Sequence, residues 1–205
     1  MIPPSINPDP VDGIAISEAL ESEMRGLISA IECVCPEKTA TYVSGPITTG
    51  KRFLEWYLEI GHRIEQDALR YGQELSSTVR RQNEREIIAV ASIVRAQGAI
   101  VIEPTSLDVL QWRQSDYLAF WIEVLTRFCR RIILVDGWQY SVGSVVEFFH
   151  SIRNGIVAQD SNFKSVTESD GRAQIQEALA FVESRQFTSP RLRSWALAIR
   201  TVISN

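Results

Sequence analysis

Hydrophobic residues along the chain follow two patterns, one typical of amphipathic helices and one typical of buried strands. One helix near the C-terminus is predicted to start at Ser189-Pro190, because serine is a favoured N-cap and proline a favoured first helical residue. The other predicted helices, where apolar residues recur at steps of three and four, are Leu20–Ile31, Phe53–Ile64, Ile87–Val94, Leu118–Phe128, Val145–Ile152 and Ile175–Val182.

The predicted strands are short apolar runs that lie between these helices. They are Thr41–Ser44, Ala99–Ile102, Ile132–Val135 and Ile156–Ala158, and the third carries the strongest signal. Because the runs are continuous rather than alternating, they favour a parallel sheet that is covered on both faces. The sequence therefore predicts an α/β fold, a flavodoxin-like or Rossmann-like three-layer parallel sheet of about five strands.

The domain organisation follows from the spacing of these elements. Residues 1–38 are predicted to form a proline-rich arm (residues 1–12) and one helix. Residues 39–205 are predicted to form the α/β domain, which ends in two helices. The stretch from Ile47 to Ala99 is too long for one crossover helix. It therefore predicts an inserted helical pair at about 52–97, which is a candidate oligomer contact.

Composition excludes several functional classes. The chain has 205 residues and a formal net charge of −4, which argues against a dedicated nucleic-acid-binding protein. No apolar run approaches the ~20 residues of a membrane helix, and the N-terminus has no signal-peptide pattern, so we expect a cytoplasmic protein without a membrane partner. Cys33, Cys35 and Cys129 are expected to be reduced structural thiols, because no second Cys/His pair stands at metal-binding spacing.

Two loops are candidates for chemistry, because ligands of open parallel sheets bind beyond the carboxyl ends of the strands. The first loop is Ser44–Gly50, where small residues permit a close approach and hydroxyl and amide groups could hold phosphate or ribose oxygens. It lacks both the dinucleotide fingerprint and the P-loop ending, so a plain turn is the alternative.

The second loop runs from Asp136 into the helix that carries Glu147. Ser141 is placed to cap this helix, which would create an anion site at its first free amide groups. Gly143 and Glu147 lie four residues apart on one helix face, so the missing side chain at position 143 would leave the carboxylate open to a ligand. The alternative is that Ser141 only caps and that Glu147 pairs with a basic residue such as Arg153.

Two motifs together resemble the nucleoside 2-deoxyribosyltransferase superfamily, and the resemblance covers about residues 40–158. The motifs are Tyr42-Val-Ser-Gly45-Pro-Ile and Ser141-Val-Gly143-Ser-Val-Val-Glu147. This superfamily includes 2′-deoxynucleoside 5′-monophosphate N-hydrolases and CMP N-glycosidases. The resemblance implies that Glu147 is the nucleophile that attacks the anomeric carbon and that Tyr42 orients it. It also implies that Gly45, Pro46 and Ile47 line the pocket for base and sugar.

The same resemblance separates monophosphate hydrolases from transferases at Ser141. The transferases have an acid there, whereas the hydrolases have a serine, which suits a phosphate at a helix N-terminus. Trp138 is a candidate for stacking on the base, and Asp136 lies in the same predicted binding loop.

The chain departs from the family pattern at two places. Thr48 stands where the monophosphate hydrolases have arginine, and the candidate replacement cations are Lys51, Arg52 and the Arg80-Arg81 pair. The general acid that protonates the leaving base has no certain match; ungapped counting gives Glu123, and Asp116 lies two turns earlier on the same face.

The resulting expectation is an N-glycosidase that acts on a (deoxy)ribonucleoside 5′-monophosphate through a glutamyl intermediate. It would use no cofactor and no metal, would take a small-molecule nucleotide or nucleoside as its partner, and would form a homodimer or a higher homo-oligomer. One alternative is base transfer between deoxynucleosides, and a related one is hydrolysis of a larger nucleotide such as NAD. A nucleotide sensor without turnover, or an unrelated α/β protein, are the remaining alternatives.

Overall fold

The computed structural model describes residues 18–185 and 189–204. The predicted extended arm at residues 1–12 lies outside the described residues. The strands are β1 (Ala40–Ser44), β2 (Val101–Ile102), β3 (Cys129–Leu134) and β4 (Val157–Asp160). The helices are α1 (Glu18–Val34), α2 (Gly50–Trp56), α3 (His62–Ile64), α4 (Ala68–Glu74), α5 (Arg81–Ala96), α6 (Gln114–Phe128), α7 (Val142–Arg153), α8 (Glu168–Ser184) and α9 (Pro190–Ser204).

The four strands form one parallel sheet in the order β2-β1-β3-β4, which is the predicted α/β arrangement. The prediction of about five strands is too high for the described part of the chain. After β4 the chain turns back at Asp160–Phe163, and Ser165 makes an antiparallel bridge to Gln159 on β4. The next element is α8, which packs on α7 instead of leading to another strand.

The prediction of a buried strand over Ala99–Ile102 is wrong in its length and its burial. Only Val101 and Ile102 pair with β1, both are partly buried, and Ile100 is 42% exposed. This strand lies at the end of the strand order, so one of its edges has no strand neighbour in the described sheet.

The two faces of the sheet carry different helices, and this defines the edge at which the candidate site lies. Val43 of β1 packs with Ile87 and Ala91 of α5 on one face. Tyr42 points to the opposite face, into a core that includes residues of α6 and α7. The crossover from β1 to β2 and the crossover from β2 to β3 therefore lie on opposite sides of the sheet. The carboxyl ends of β1 and β3 meet at this topological switch point, where ligands of such folds bind.

The inserted helical pair is present, and each arm contains a π-helical turn. One arm runs from α2 through Tyr57–Gly61 into α3, and the other runs from α4 through Leu75–Arg80 into α5. An apolar cluster attaches the insertion to α8 and α9. Its buried members include Phe53, Trp56, Tyr71, Val182 and Leu192.

Helix α1 joins the same core as the sheet, because Met24 and Ile28 are buried in the cluster that contains Phe128. Cys35 and Cys129 are buried, Cys33 is exposed, and all three thiols are free. None of the helices in residues 18–185 and 189–204 is long and apolar enough to cross a membrane.

Candidate active site

Glu147 lies on α7 beneath the carboxyl end of β1, where two hydroxyl groups of this strand hold its carboxylate. The Tyr42 hydroxyl donates to Oε1 at 2.9 Å, and the Ser44 hydroxyl donates to Oε2 at 2.5 Å. Tyr42 and Ser44 are both fully buried, and Glu147 is 7% exposed. Each carboxylate oxygen therefore has a donor of its own from the central part of the sheet.

The position of the carboxylate raises its proton affinity. Burial raises the pKa of Glu147 to about 7, and the hydrogen bonds from Ser44 and Tyr42 oppose this rise by stabilising the ionised form. Burial raises the pKa of Tyr42 well above its ordinary range, and the adjacent Glu147 adds to this rise. The phenol therefore keeps its proton and remains a hydrogen-bond donor. A buried carboxylate that titrates near neutral pH and lies at a switch point is a candidate functional group.

The start of α7 has the predicted cap and an open surface at Gly143, but the Glu147 carboxylate itself is buried and not open as the spacing predicted. Ser141 is the N-cap, and its side chain accepts a hydrogen bond from the Ser144 amide at 3.4 Å. A Cβ atom placed on Gly143 would meet only the Ser141 hydroxyl, at 4.0 Å, so the surface in front of Gly143 is open. Glu147 follows one turn later on the same face.

The alternative in which Glu147 pairs with a basic residue is not observed. Within the described ranges Glu147 takes part in no ion pair, and Arg153 lies at the opposite end of α7. In the described residues its side-chain hydrogen-bond partners are the two hydroxyl groups of β1.

The first loop is fixed from behind by tight packing. Gly45 is buried, and a Cβ atom there would lie 2.9 Å from Ile87 and 3.0 Å from Val135. Gly50 adopts φ +90°, and a side chain there would collide with Pro46. Gly45 therefore acts as a packing position, which differs from the pocket-lining role that the resemblance implied.

The less buried loop positions are Ile47, Thr48 and Thr49, and of these Ile47 packs against the apolar cluster that contains Val43 and Ile87. Asn83 of α5 holds this segment: its Nδ2 donates to the carbonyl oxygens of Ile47 and Thr49, at 3.0 Å each. Its Oδ1 accepts a hydrogen bond from Arg52, which also forms an ion pair with Glu86. Asn83 is 2% exposed, so a buried amide anchors the loop to the insertion.

The second loop places its aromatic residue in the core. Trp138 is 3% exposed, lies 4.8 Å from the Phe148 ring centroid, and donates through Nε1 to Gln174. Its indole is packed inside the core, so the expected stacking on a base does not fit this conformation. Asp136 is exposed and accepts a hydrogen bond from Ser161 at 2.7 Å.

The two candidates for the general acid differ in their placement. Glu123 is half exposed on the outer side of α6 and pairs with Arg127. Asp116 is buried in the first turn of α6, at the same edge of the sheet as the site, because α6 runs back from this edge to the start of β3. Its carboxylate accepts a hydrogen bond from the Arg113 amide at 2.8 Å and pairs with the Arg113 guanidinium.

The candidate replacement cations are mostly engaged with acidic residues. Arg52 pairs with Glu86, and Arg80 pairs with Glu84 and Asp108. Lys51 follows the first residue of α2, and its backbone lies beside Gly137 of the second loop. Its ammonium group is 3.8 Å from Glu55, and both side chains are more than half exposed, so this weak pair leaves Lys51 able to turn toward an anion.

Sequence reasoning named Ser44 only as part of the first loop and missed its contact with Glu147, and it missed Asn83 altogether. The alternation of a strand would have placed Ser44 on the same face as Tyr42, which is a usable signal. Asn83 had no comparable signal, because its role depends on how the insertion folds back on the first loop. In the described residues no group of His, Cys, Asp and Glu side chains is arranged to hold a metal ion.

No family model, no curated protein and no solved structure matches this chain. The resemblance to the deoxyribosyltransferase superfamily therefore stays a prediction from its two motifs. The geometry by itself describes a buried, hydroxyl-bonded carboxylate next to an open helix N-terminus. Such a group can act as a nucleophile or as a base at neutral pH.

Proposed function

We propose that this protein is an N-glycosidase that cleaves the bond between base and sugar in a (deoxy)ribonucleoside 5′-monophosphate. The observation that carries the proposal is the Glu147 carboxylate, which is bound on both oxygens by Tyr42 and Ser44 and has no cation partner in the described residues. Burial of a charge is costly and buried charges are usually paired, so a buried carboxylate held by hydroxyl groups alone has a cost that a purely structural role does not explain.

In the proposed reaction, a Glu147 oxygen forms a bond to the anomeric carbon while the N-glycosidic bond breaks. The base leaves with the bonding electron pair and takes up a proton from a general acid. Water then attacks the anomeric carbon and gives a proton to the deprotonated general acid, the bond between Glu147 and the sugar breaks, and Glu147 is released as a carboxylate with the sugar phosphate. Tyr42 remains protonated throughout and donates to the carboxylate oxygen that does not react.

The start of α7 favours a phosphate group at the far end of the substrate. Ser141 caps the helix, and Gly143 leaves the first-turn amide groups uncovered, so an anion can approach the positive end of the helix dipole. Lys51 is the nearest candidate cation from the first loop. Of the two candidate acids, Asp116 lies at the correct edge of the sheet, whereas Glu123 faces outward.

A second candidate function is nucleotide sensing without turnover. The observation that favours it is the engagement of Asp116 by Arg113, which holds this acid in a helix cap. Base transfer between deoxynucleosides is the third candidate. It differs from hydrolysis only in whether a second base or water takes the sugar from Glu147.

The experiment is incubation of the protein with dCMP, dGMP, AMP and NAD, followed by chromatographic measurement of free base. We expect release from at least one monophosphate, and a loss of at least a hundredfold in Glu147→Gln. Glu183→Gln is the matched control and should keep its activity, because Glu183 is exposed on α8 and pairs with Arg200 of α9. Tight binding of a monophosphate without any release would instead identify a sensor, and exchange with an added free base would identify a transferase.

A further inference from the structure

Ser44 is a hydroxyl donor to Glu147, and although it stands within the first motif, the resemblance assigns it no role. It is the last residue of β1, it is fully buried, and its Oγ lies 2.5 Å from Glu147 Oε2. Tyr42, two residues earlier on the same face of the strand, donates to Oε1. The two donors are therefore fixed relative to each other by a single stretch of sheet.

Two titratable groups near Glu147, Tyr42 and Cys129, are neutral at physiological pH, and Glu103, which also acts on Tyr42, is paired with Arg95 at 3.6 Å. Tyr42 keeps its proton, and burial raises the pKa of the Cys129 thiol on β3 to about 12, with smaller contributions from neighbouring groups that include Glu147. Within the described residues, no lysine, arginine or histidine from α6, α8 or any other element forms an ion pair with Glu147. The negative charge of this carboxylate is therefore stabilised by hydroxyl groups.

We infer that Ser44 is a positioning residue for Glu147: its hydroxyl holds Oε2 while Tyr42 holds Oε1, so the carboxylate is fixed in one rotamer and presented in its ionised form. The role of this carboxylate as a nucleophile rests on the proposed function, but the contact itself does not.

The hydrogen bond from Ser44 affects the protonation of Glu147, which a side chain that only fills space could not do. An ionised carboxylate accepts charge-assisted hydrogen bonds from both hydroxyl groups at once, whereas a protonated carboxyl makes only weaker neutral hydrogen bonds with the same groups. Ser44, as a donor at short distance, therefore favours the ionised carboxylate. Loss of this donor would leave Oε2 buried without its partner and would favour protonation.

The test is a titration of Glu147 in the intact protein by carbon NMR of labelled glutamate carboxyl groups, with the signal assigned by its loss in Glu147→Gln. We expect Ser44→Ala to raise the midpoint by about one to two pH units, since one hydrogen bond to a charged group is removed. Ser92→Ala is the control, because this exposed serine bonds only to its own helix, at the Ile88 carbonyl.

Two further variants keep the test decisive if Ser44→Ala does not fold. Ser44→Thr retains the hydroxyl and should keep the midpoint, whereas Ser44→Cys replaces it with a weak donor and should raise the midpoint. An unchanged midpoint in a folded Ser44→Ala or Ser44→Cys protein would overturn the inference. If the protein releases free base, the acidic limb of the pH–rate profile should shift together with the midpoint of the Glu147 titration. A shifted midpoint in a protein that releases no base would retain the role of Ser44 and refute the glycosidase.

Discussion

At the scale of single residues, the burial of Glu147 has an energetic cost that the fold only partly offsets. Its pKa of about 7 lies above the ordinary value of 4.5, so the folded protein binds a proton more tightly than the unfolded chain does. Between these two values stability must fall as pH rises, because the unfolded state releases the proton first. The burial penalty is absent below pH 4.5 and complete above pH 7.

Glu147→Gln should therefore stabilise the protein in a pH-dependent way. Relative to the native chain, the variant should gain about 3 kcal/mol in free energy of unfolding between pH 4.5 and pH 8, an order-of-magnitude figure from the two pKa values. Urea unfolding of both proteins at these two pH values measures the difference.

Glu123→Gln is the control for this measurement, because Glu123 is half exposed and its ion pair with Arg127 lies at the surface. We expect its effect to stay within about 0.5 kcal/mol at both pH values. Equal pH dependence of the native and Glu147→Gln proteins would show that the carboxylate is not held in a low-dielectric environment.

Residue-scale prediction from the sequence succeeded where the signal was local. The cap at Ser141 and the open face at Gly143 follow from spacing along one helix, so they could be predicted. Trp138 was misjudged because an aromatic residue in a loop suits a ligand and a core equally well. Its partner Phe148 lies on the next helix, and only the packing of that helix decides between them.

At the scale of elements, the contacts between helices depend on glycines that permit close approach. Gly171 of α8 lies against Phe148 of α7, and a Cβ atom there would be 2.2 Å from the ring. Phe148 is itself fully buried and packs on Trp138 and Phe149, so the ring has no free space to move into.

Gly171→Ala should therefore destabilise the protein by about 1–3 kcal/mol, which is typical of overpacking in a core. Gly26→Ala on α1 is the matched control, since a Cβ atom there meets nothing within 4 Å. That change should stabilise the protein by about 0.5–1 kcal/mol through helix propensity. Thermal or urea unfolding of the two variants compares them, and a neutral Gly171→Ala would contradict the observed packing of α8 on α7.

The anchor between α5 and the first loop gives a second element-scale prediction. Asn83→Asp removes both N–H donors and faces a carboxylate toward the carbonyl oxygens of Ile47 and Thr49. We expect a loss of about 1–3 kcal/mol in stability and faster amide hydrogen exchange over residues 44–50.

Gln82→Glu introduces the same charge at the adjacent exposed position of α5 and should leave both measurements unchanged. Unchanged exchange in Asn83→Asp would show that the first loop is held by packing of its glycines and proline alone.

At the scale of the whole molecule, the strand–helix order could be predicted because parallel strands that are buried on both faces have sequences of continuous apolar residues. The sequence analysis pointed to the carboxyl ends of the strands, where Tyr42, Ser44 and Glu147 meet, but the switch point between β1 and β3 depends on the order of strands in the sheet, which was not predicted. The path of the insertion could not be predicted, since its attachment to α8 and α9 depends on an aromatic cluster drawn from distant segments. The strand count was too high because nothing in the local pattern shows that the chain turns back after β4.

The most direct test of the account is to trap the covalent intermediate on Glu147. A nucleoside 5′-monophosphate with fluorine at the 2′ position slows breakdown of the glycosyl-enzyme, and mass spectrometry of the intact protein and its peptides locates the adduct. We predict an added mass equal to one fluorinated sugar phosphate on the peptide that contains Glu147, and none in Glu147→Gln. Base release at an undiminished rate from Glu147→Gln, or an adduct on any other residue, would contradict the account.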